Sequence, residues 1–309
     1  MTVLSLGGWY VGNSAVLDWL DGFSSYYYLR GDFHDLRKYG GLYDCIVEKD
    51  HQRKCQIVDS ELKHFCKGLL RPTKAFFNKS INGKVPNHPS LLNYNILMLF
   101  NYLTFRVHIR NKDFDQLAFW KKRLAMLTKI SDNRDAKLVL QNPTYYDDIA
   151  PEHSAIWREL FENPKMFFVH RDPVDQFVQI YLADDLKYGN TRFRAGTENL
   201  NPVERYFYIT KRTYISRINM LKKFPPNQLA VINFEKFAYA SDEAIKPIRD
   251  FFDICSEREF NFNFEMTRGN VGLSKKNENV VHHLKEYSGQ LEELYQLRNE
   301  LSAAEHSVI

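Results

Sequence analysis

Arg171 stands where an apolar run, Met166-Phe167-Phe168-Val169, gives way to an amphipathic run that opens at Pro173. The β-branched and aromatic content of the first run predicts a buried parallel strand, and Pro173 fits the first turn of a following helix. His170-Arg171-Asp172-Pro173 therefore reads as a turn at the carboxyl end of a strand, the edge at which open α/β sheets bind ligands. An always-charged, forked guanidinium there suits a phosphate or sulfate better than a lysine would. The same residues also allow a plainer arrangement, a surface pair of Arg171 with Asp172 or Asp175.

A second anion site is written into the N-terminus. The apolar start Thr2-Val3-Leu4-Ser5-Leu6 leads into Gly7-Gly8-Trp9-Tyr10-Val11-Gly12-Asn13-Ser14 and then into the helical Ala15-Val16-Leu17-Asp18-Trp19-Leu20. A glycine-bearing loop that enters a helix presents free backbone N–H groups at the positive end of the helix dipole. The loop is not a Walker A sequence, because Asn13 stands where that pattern has lysine, and this argues against an ordinary nucleoside triphosphatase or kinase.

These two sites must be positioned by a larger framework. Strands are predicted at 2–6, 25–29, 137–140, 166–170 and 229–234, separated by helical patterns, and alternation of this kind implies a parallel sheet covered on both faces. The first crossover helix is expected at 14–22 and a long one at about 202–224, ending at Pro225-Pro226. Ser241 offers an N-cap for a further helix that Pro247 must either kink or delay. Between about 44 and 130 the strand pattern gives way to helical stretches at 90–107 and 113–130, read as an insertion. Residues 282–304 place Leu284, Tyr287, Leu291, Leu294 and Leu301 on one face of a C-terminal helix, to pack on the body of the chain or on a second subunit of a homodimer.

Composition bounds the function. The chain has 309 residues, 44% of them hydrophobic, and a net charge of +4, which describes an ordered globular protein without the charge excess of a nucleic-acid binder. The four cysteines lack C-x-x-C spacing, no signal-peptide pattern opens the chain, and no stretch reaches the roughly 20 apolar residues of a membrane span. A cytoplasmic location is the expectation.

Taken together, the N-terminal strand–loop–Ser14–helix, the Leu138-Val139-Leu140-Gln141-Asn142-Pro143 segment and the strand ending at Arg171-Asp172-Pro173 resemble the sulfotransferase superfamily. Val231-Ile232-Asn233-Phe234-Glu235-Lys236-Phe237 and the run from Gly269 to Asn277 extend the resemblance over nearly the whole chain. It implies a single α/β domain: a three-layer P-loop-like fold with a central parallel sheet and a helical insertion. It also implies transfer of a sulfuryl group from 3'-phosphoadenosine-5'-phosphosulfate (PAPS), leaving PAP. Tyr10, Gly12, Asn13 and Ser14 would then lie at the 5'-phosphosulfate end, Arg171 and Gln179 at the 3'-phosphate, and Ser274 and Lys275 in the C-terminal nucleotide loop.

Three positions depart from the family pattern. Tyr10 falls where the loop usually has lysine or arginine, Gln141 where many members have lysine, and Gln179 where a phosphate-binding serine is expected. Losing a charge-assisted contact to phosphate removes roughly 1.5–3 kcal/mol per bond, so other cations are needed, and Arg192, Arg194, Lys211, Arg212, Lys275 and Lys276 are the candidates. In glycan-modifying members the base comes from the segment after the first helix, here Asp32 first and His34 second, while Gln141 retains a hydrogen bond for a sulfuryl oxygen. The expected activity is sulfation of a hydroxyl on a carbohydrate or other small-molecule acceptor. The alternative is a binding or assembly protein that keeps the fold without catalysis.

Overall fold

The structure is a computed structural model that describes residues 2–7, 10–32, 41–80, 89–111, 113–127, 136–141, 156, 158–183, 197, 199–255 and 262–309, with backbone alone at 30–32, 68, 70–80, 89–93 and 141. Five strands, β1 (Thr2–Ser5), β2 (Tyr26–Asp32), β3 (Lys137–Gln141), β4 (Lys165–His170) and β5 (Leu229–Asn233), form one parallel sheet in the order β2-β3-β1-β4-β5, flanked by helices. All five overlap the predicted apolar runs, and β2 continues three residues beyond its run, to Asp32. The runs are apolar throughout because both faces of a parallel sheet are covered, and every residue of β5 is buried.

Contacts divide the chain into two compact units. The first holds β2, β3 and residues 2–4 of β1, together with α2 (Leu42–Val47), α3 (His51–Ser80), α4 (Pro89–His108) and α5 (Gln116–Ala125). Its core is aromatic: Phe65, Tyr94, Tyr102, Phe105 and Trp120 are all nearly inaccessible, and Tyr102 meets Trp120 with ring centroids 4.8 Å apart. The long helix α3 escapes a reading based on apolar periodicity for a definite reason. Its inward positions are Lys54, Val58, Glu61 and Phe65, so two charged residues interrupt the stripe. Lys54 reaches Oε1 of Gln116 at 2.6 Å. Helix α5 is shorter than the predicted 113–130, because the Asp115 side chain accepts from the Ala118 N–H and starts the helix at Gln116.

The second unit holds α1 (Asn13–Asp21), β4, β5 and everything that follows: α6 (Pro173–Leu182), α7 (Pro202–Leu221), α8 (Phe234–Ala238), α9 (Asp242–Phe252), α10 (Phe264–Arg268), α11 (Leu273–Lys276), α12 (Glu278–Val281) and α13 (Ser288–Ser302). Helix α7 opens with a capping box in which the Asn201 side chain and Glu204 each satisfy the other's backbone donor. Ser241 caps α9, which accommodates Pro247 within its length. The C-terminal stretch divides into a 3-10 segment, His282–Tyr287, and α13; Leu284, Leu294 and Leu301 are buried and α13 packs along α7.

Beyond α13 the chain returns to the sheet. Val231 of β5 donates to the His306 carbonyl at 2.8 Å and accepts from the Val308 N–H at 3.1 Å, while His306 Nε2 meets the Phe224 carbonyl at 2.7 Å. This tail occupies hydrogen-bonding groups of an end strand that would otherwise invite pairing with another chain. Deleting residues 305–309 removes both backbone bonds to Val231, and stability to urea should fall by about 2–3 kcal/mol, with greater self-association visible by light scattering.

Candidate functional site

Arg171 is 1% exposed, so the surface pair with an acidic neighbour is not what forms. The second unit instead wraps the guanidinium with acceptors. Nη1 donates to Oε1 of Gln179 and, at 3.4 Å, to the Tyr10 carbonyl; Nη2 donates to the Asn270 carbonyl; and the Phe234 ring lies 5.0 Å from the guanidinium carbon. Nε is buried and has no hydrogen-bond partner. Burial lowers the Arg171 pKa, opposed by the nearby carboxylates of Asp175, Glu235 and Asp172, and an arginine keeps its proton under such conditions. Three segments far apart in sequence, the loop after β1, the arginine turn and the run from Gly269 to Asn277, thus meet at one side chain.

The turn is fixed from every side by residues whose roles follow from their chemistry. Asp172 caps α6, accepting from the Val174 and Asp175 N–H groups, and its other oxygen accepts from Tyr295 Oη at 2.9 Å. Glu235, at the start of α8, accepts from the Asp172 N–H at 2.6 Å and from Arg298 at 2.9 Å. Tyr206 Oη donates to the Pro173 carbonyl and Tyr214 Oη to the Arg171 carbonyl, and burial raises the pKa of both phenols so that they remain donors.

The loop that leads into α1 is shaped by Gly12. With φ at 97° it occupies the left-handed region, and a Cβ there would run into the Phe234 ring, so neither the backbone nor the space admits a larger residue. Tyr10 also has positive φ, 54°, which is uncommon outside glycine. No side chain caps α1: Ser14 is exposed, and both polar atoms of the buried Asn13 side chain lack hydrogen-bond partners. An uncapped helix start with an orphaned carboxamide fits an anion-bearing ligand.

The C-terminal loop is different. Asp175 accepts from the Gly272 N–H at 2.5 Å and from the Ser274 N–H at 2.8 Å, so an internal carboxylate already occupies the donors that would face a phosphate. Ser274 and Lys275 line a cleft of about 1090 Å³ with Asp172, Glu235, His282 and Lys285 among its walls. Of the other candidate cations, Lys211 pairs with Glu293 at 2.6 Å and Arg212 donates to Tyr208 Oη; Arg192 and Arg194 lie outside the described residues. No cluster of metal-ligating side chains occurs among the described residues.

In the first unit, Asp32 and Gln141 are register partners at the carboxyl ends of β2 and β3. The register shifts between Leu29 and Asp32, which sets Asp32 opposite Gln141. His34 lies outside the described residues.

Sequence reasoning set Tyr10 at the 5' end and Arg171 with Gln179 at the 3'-phosphate, and the structure brings the Tyr10 carbonyl and the Gln179 carboxamide together at the Arg171 guanidinium. Sequence reasoning missed Asn270, because a backbone carbonyl leaves no signature in side-chain types. It also missed Asp175 and Glu235 as partners of loop N–H groups, for which the signal was an acidic residue in the first turn of each following helix.

What these features define is a parallel α/β protein with an uncapped helix start after its first strand and a buried arginine after its fourth. No family model matches the chain, and no curated protein does. Among solved structures the chain is similar to the "Sulfotransferase Domain from the Curacin Biosynthetic Pathway", at 15% identity over 84% of this chain and 76% of that one, with a TM-score of 0.48. Likeness at that level carries no argument, and function must be argued from the residues.

His170, beside the arginine, gives a direct check on this geometry. It is 1% exposed, its Nδ1 has no partner, and desolvation, reinforced by the positive charges of Arg298 and Lys236, depresses its pKa to about 3. The unfolded chain takes up that proton near pH 6.5, so stability should be lost as pH falls from about 6.5 towards 3. Urea titrations at pH 7 and pH 5 should show the loss, and His170→Gln should reduce it.

Proposed function

We propose that the chain is a sulfotransferase that moves a sulfuryl group from PAPS to a hydroxyl, on a carbohydrate or a glycan precursor. The observation that carries the reading is the convergence on Arg171 of the N-terminal loop, the arginine turn and the 269–277 segment, the three stretches that the resemblance assigns to the nucleotide. Residues 10–14 would receive the 5' end through backbone N–H groups at the start of α1, with Asn13 and Ser14 adding side-chain contacts. Arg171 would hold the 3'-phosphate, and Ser274 and Lys275 would border the nucleotide from the cleft.

In the transfer the acceptor oxygen bonds to sulfur as the bond from sulfur to the phosphate oxygen breaks, and the electron pair leaves with the nucleotide. This chain's part is to take the acceptor's proton, at Asp32 or in second place at His34, and to stabilise the charge that spreads over the sulfuryl oxygens, where Gln141 would donate a hydrogen bond. No helix among the described residues is long and apolar enough to cross a membrane, and we place the protein in the cytoplasm, without a nucleic-acid partner.

A second reading has its own support. Tyr10 supplies no cation, and Asp175 fills the N–H groups of Gly272 and Ser274, both of which favour a binding or assembly protein that has kept the fold.

Calorimetry with PAP and with adenosine 5'-phosphosulfate, which lacks the 3'-phosphate, tests the nucleotide assignment. Arg171→Lys keeps the charge but loses the fork, so PAP binding should weaken about tenfold or more while the second nucleotide changes little. An equal loss for both would remove Arg171 from the 3'-phosphate.

The catalytic half is tested separately. Asp32→Asn should lower sulfuryl transfer by about 10²-fold or more with nucleotide affinity nearly constant, and Tyr10→Lys should raise a slow transfer or PAPS hydrolysis. Tight PAP binding with no turnover in the wild type or in Tyr10→Lys would favour the non-catalytic reading.

A further inference from the structure

Of the acceptors that surround the Arg171 guanidinium, two are backbone carbonyls, those of Tyr10 and Asn270, and one is a side chain, the Gln179 carboxamide. The carbonyls are fixed by their loops. Gln179 is the displaceable partner: it lies eight residues beyond Arg171 on α6, it is partly exposed, and its terminal rotation can carry Oε1 away without moving the backbone. Asp175 lies one turn earlier on the same helix and holds the Gly272 and Ser274 N–H groups, so adjacent turns supply both internal acceptors at this corner.

We infer that Gln179 is a specificity-determining residue, whose carboxamide oxygen competes with a phosphate monoester for the Arg171 fork and thereby weakens discrimination in favour of a nucleotide that carries one. Because the carboxamide is neutral, it occupies a donor without cancelling the guanidinium charge, and a dianion still gains by replacing it. A shorter hydroxyl side chain at 179 would leave Nη1 free to donate to the ligand. A carboxylate there would hold the fork as an ion pair and repel the incoming anion. This inference rests on the nucleotide reading given above and specifies which part of the nucleotide this chain recognises weakly.

The test compares binding of PAP and of adenosine 5'-phosphosulfate to the wild-type chain, Gln179→Ser and Gln179→Glu, with circular dichroism to confirm that each is folded. Gln179→Ser should bind PAP about tenfold more tightly and the nucleotide without a 3'-phosphate unchanged, whereas Gln179→Glu should bind PAP about tenfold more weakly. Opposite shifts confined to one nucleotide are not produced by a general loosening of α6. If Gln179→Ser does not fold, Gln179→Asn, which shortens the side chain by one methylene, carries the same expectation. No change, weaker PAP binding by the shortened variant, or equal shifts for both nucleotides overturns the inference while leaving the nucleotide site standing. If neither nucleotide binds to the wild type or to any variant, the proposed function falls and the inference falls with it.

Discussion

A guanidinium that is 1% exposed must find acceptors inside the protein, and much of the second unit is arranged by that requirement. Arg171 draws in carbonyls from the loop before α1 and from the run after α10, and one side chain from α6. Around it a second set of contacts closes the turn: Asp172 on the α6 start and on Tyr295, Glu235 on the Asp172 N–H and on Arg298. The charges that neutralise the arginine are therefore not wasted on it directly. They satisfy loop N–H groups and a phenol while standing close enough to lower the electrostatic cost of its burial.

The same arrangement explains why the loop after β1 has its shape. Gly12 can take a φ of 97° and lie against Phe234, which itself faces the guanidinium. Arg217, buried on α7, donates to the Gly7 carbonyl at 2.7 Å and lies over the Phe168 ring. Arginines from distant parts of the chain thus hold the carbonyls of Gly7 and Tyr10, and the first turn of α1 has no side-chain cap.

The strands were legible because buried parallel strands are short, uniformly apolar runs, and the arginine turn was legible because Pro173 marks the helix start beside it. Helix α3 was not, since Lys54 and Glu61 occupy inward positions and break the apolar stripe that a helix normally shows. Within the site, side chains with a distinctive charge or special backbone freedom, Arg171 and Gly12, announced themselves. The Asn270 carbonyl did not, nor did the fact that Asp175 fills N–H groups that its neighbours seemed to offer to a ligand. Both depend on where the chain returns, which local spacing does not encode.

That return has a kinetic meaning. Residues 5–23 belong to the same compact unit as residues 165–309, and the bonds that join them close very long stretches of chain: Arg171 to Tyr10 spans 161 positions and Arg217 to Gly7 spans 210. Loop-closure entropy grows only logarithmically, about 0.6 kcal/mol for each doubling, so such contacts are thermodynamically tolerable but late. The loop before α1 therefore gains its contacts with Arg171 and Arg217 only after those residues have been added to the chain. The unit that carries the candidate nucleotide site is thus one whose early and late residues must be joined across at least 161 positions before it is complete.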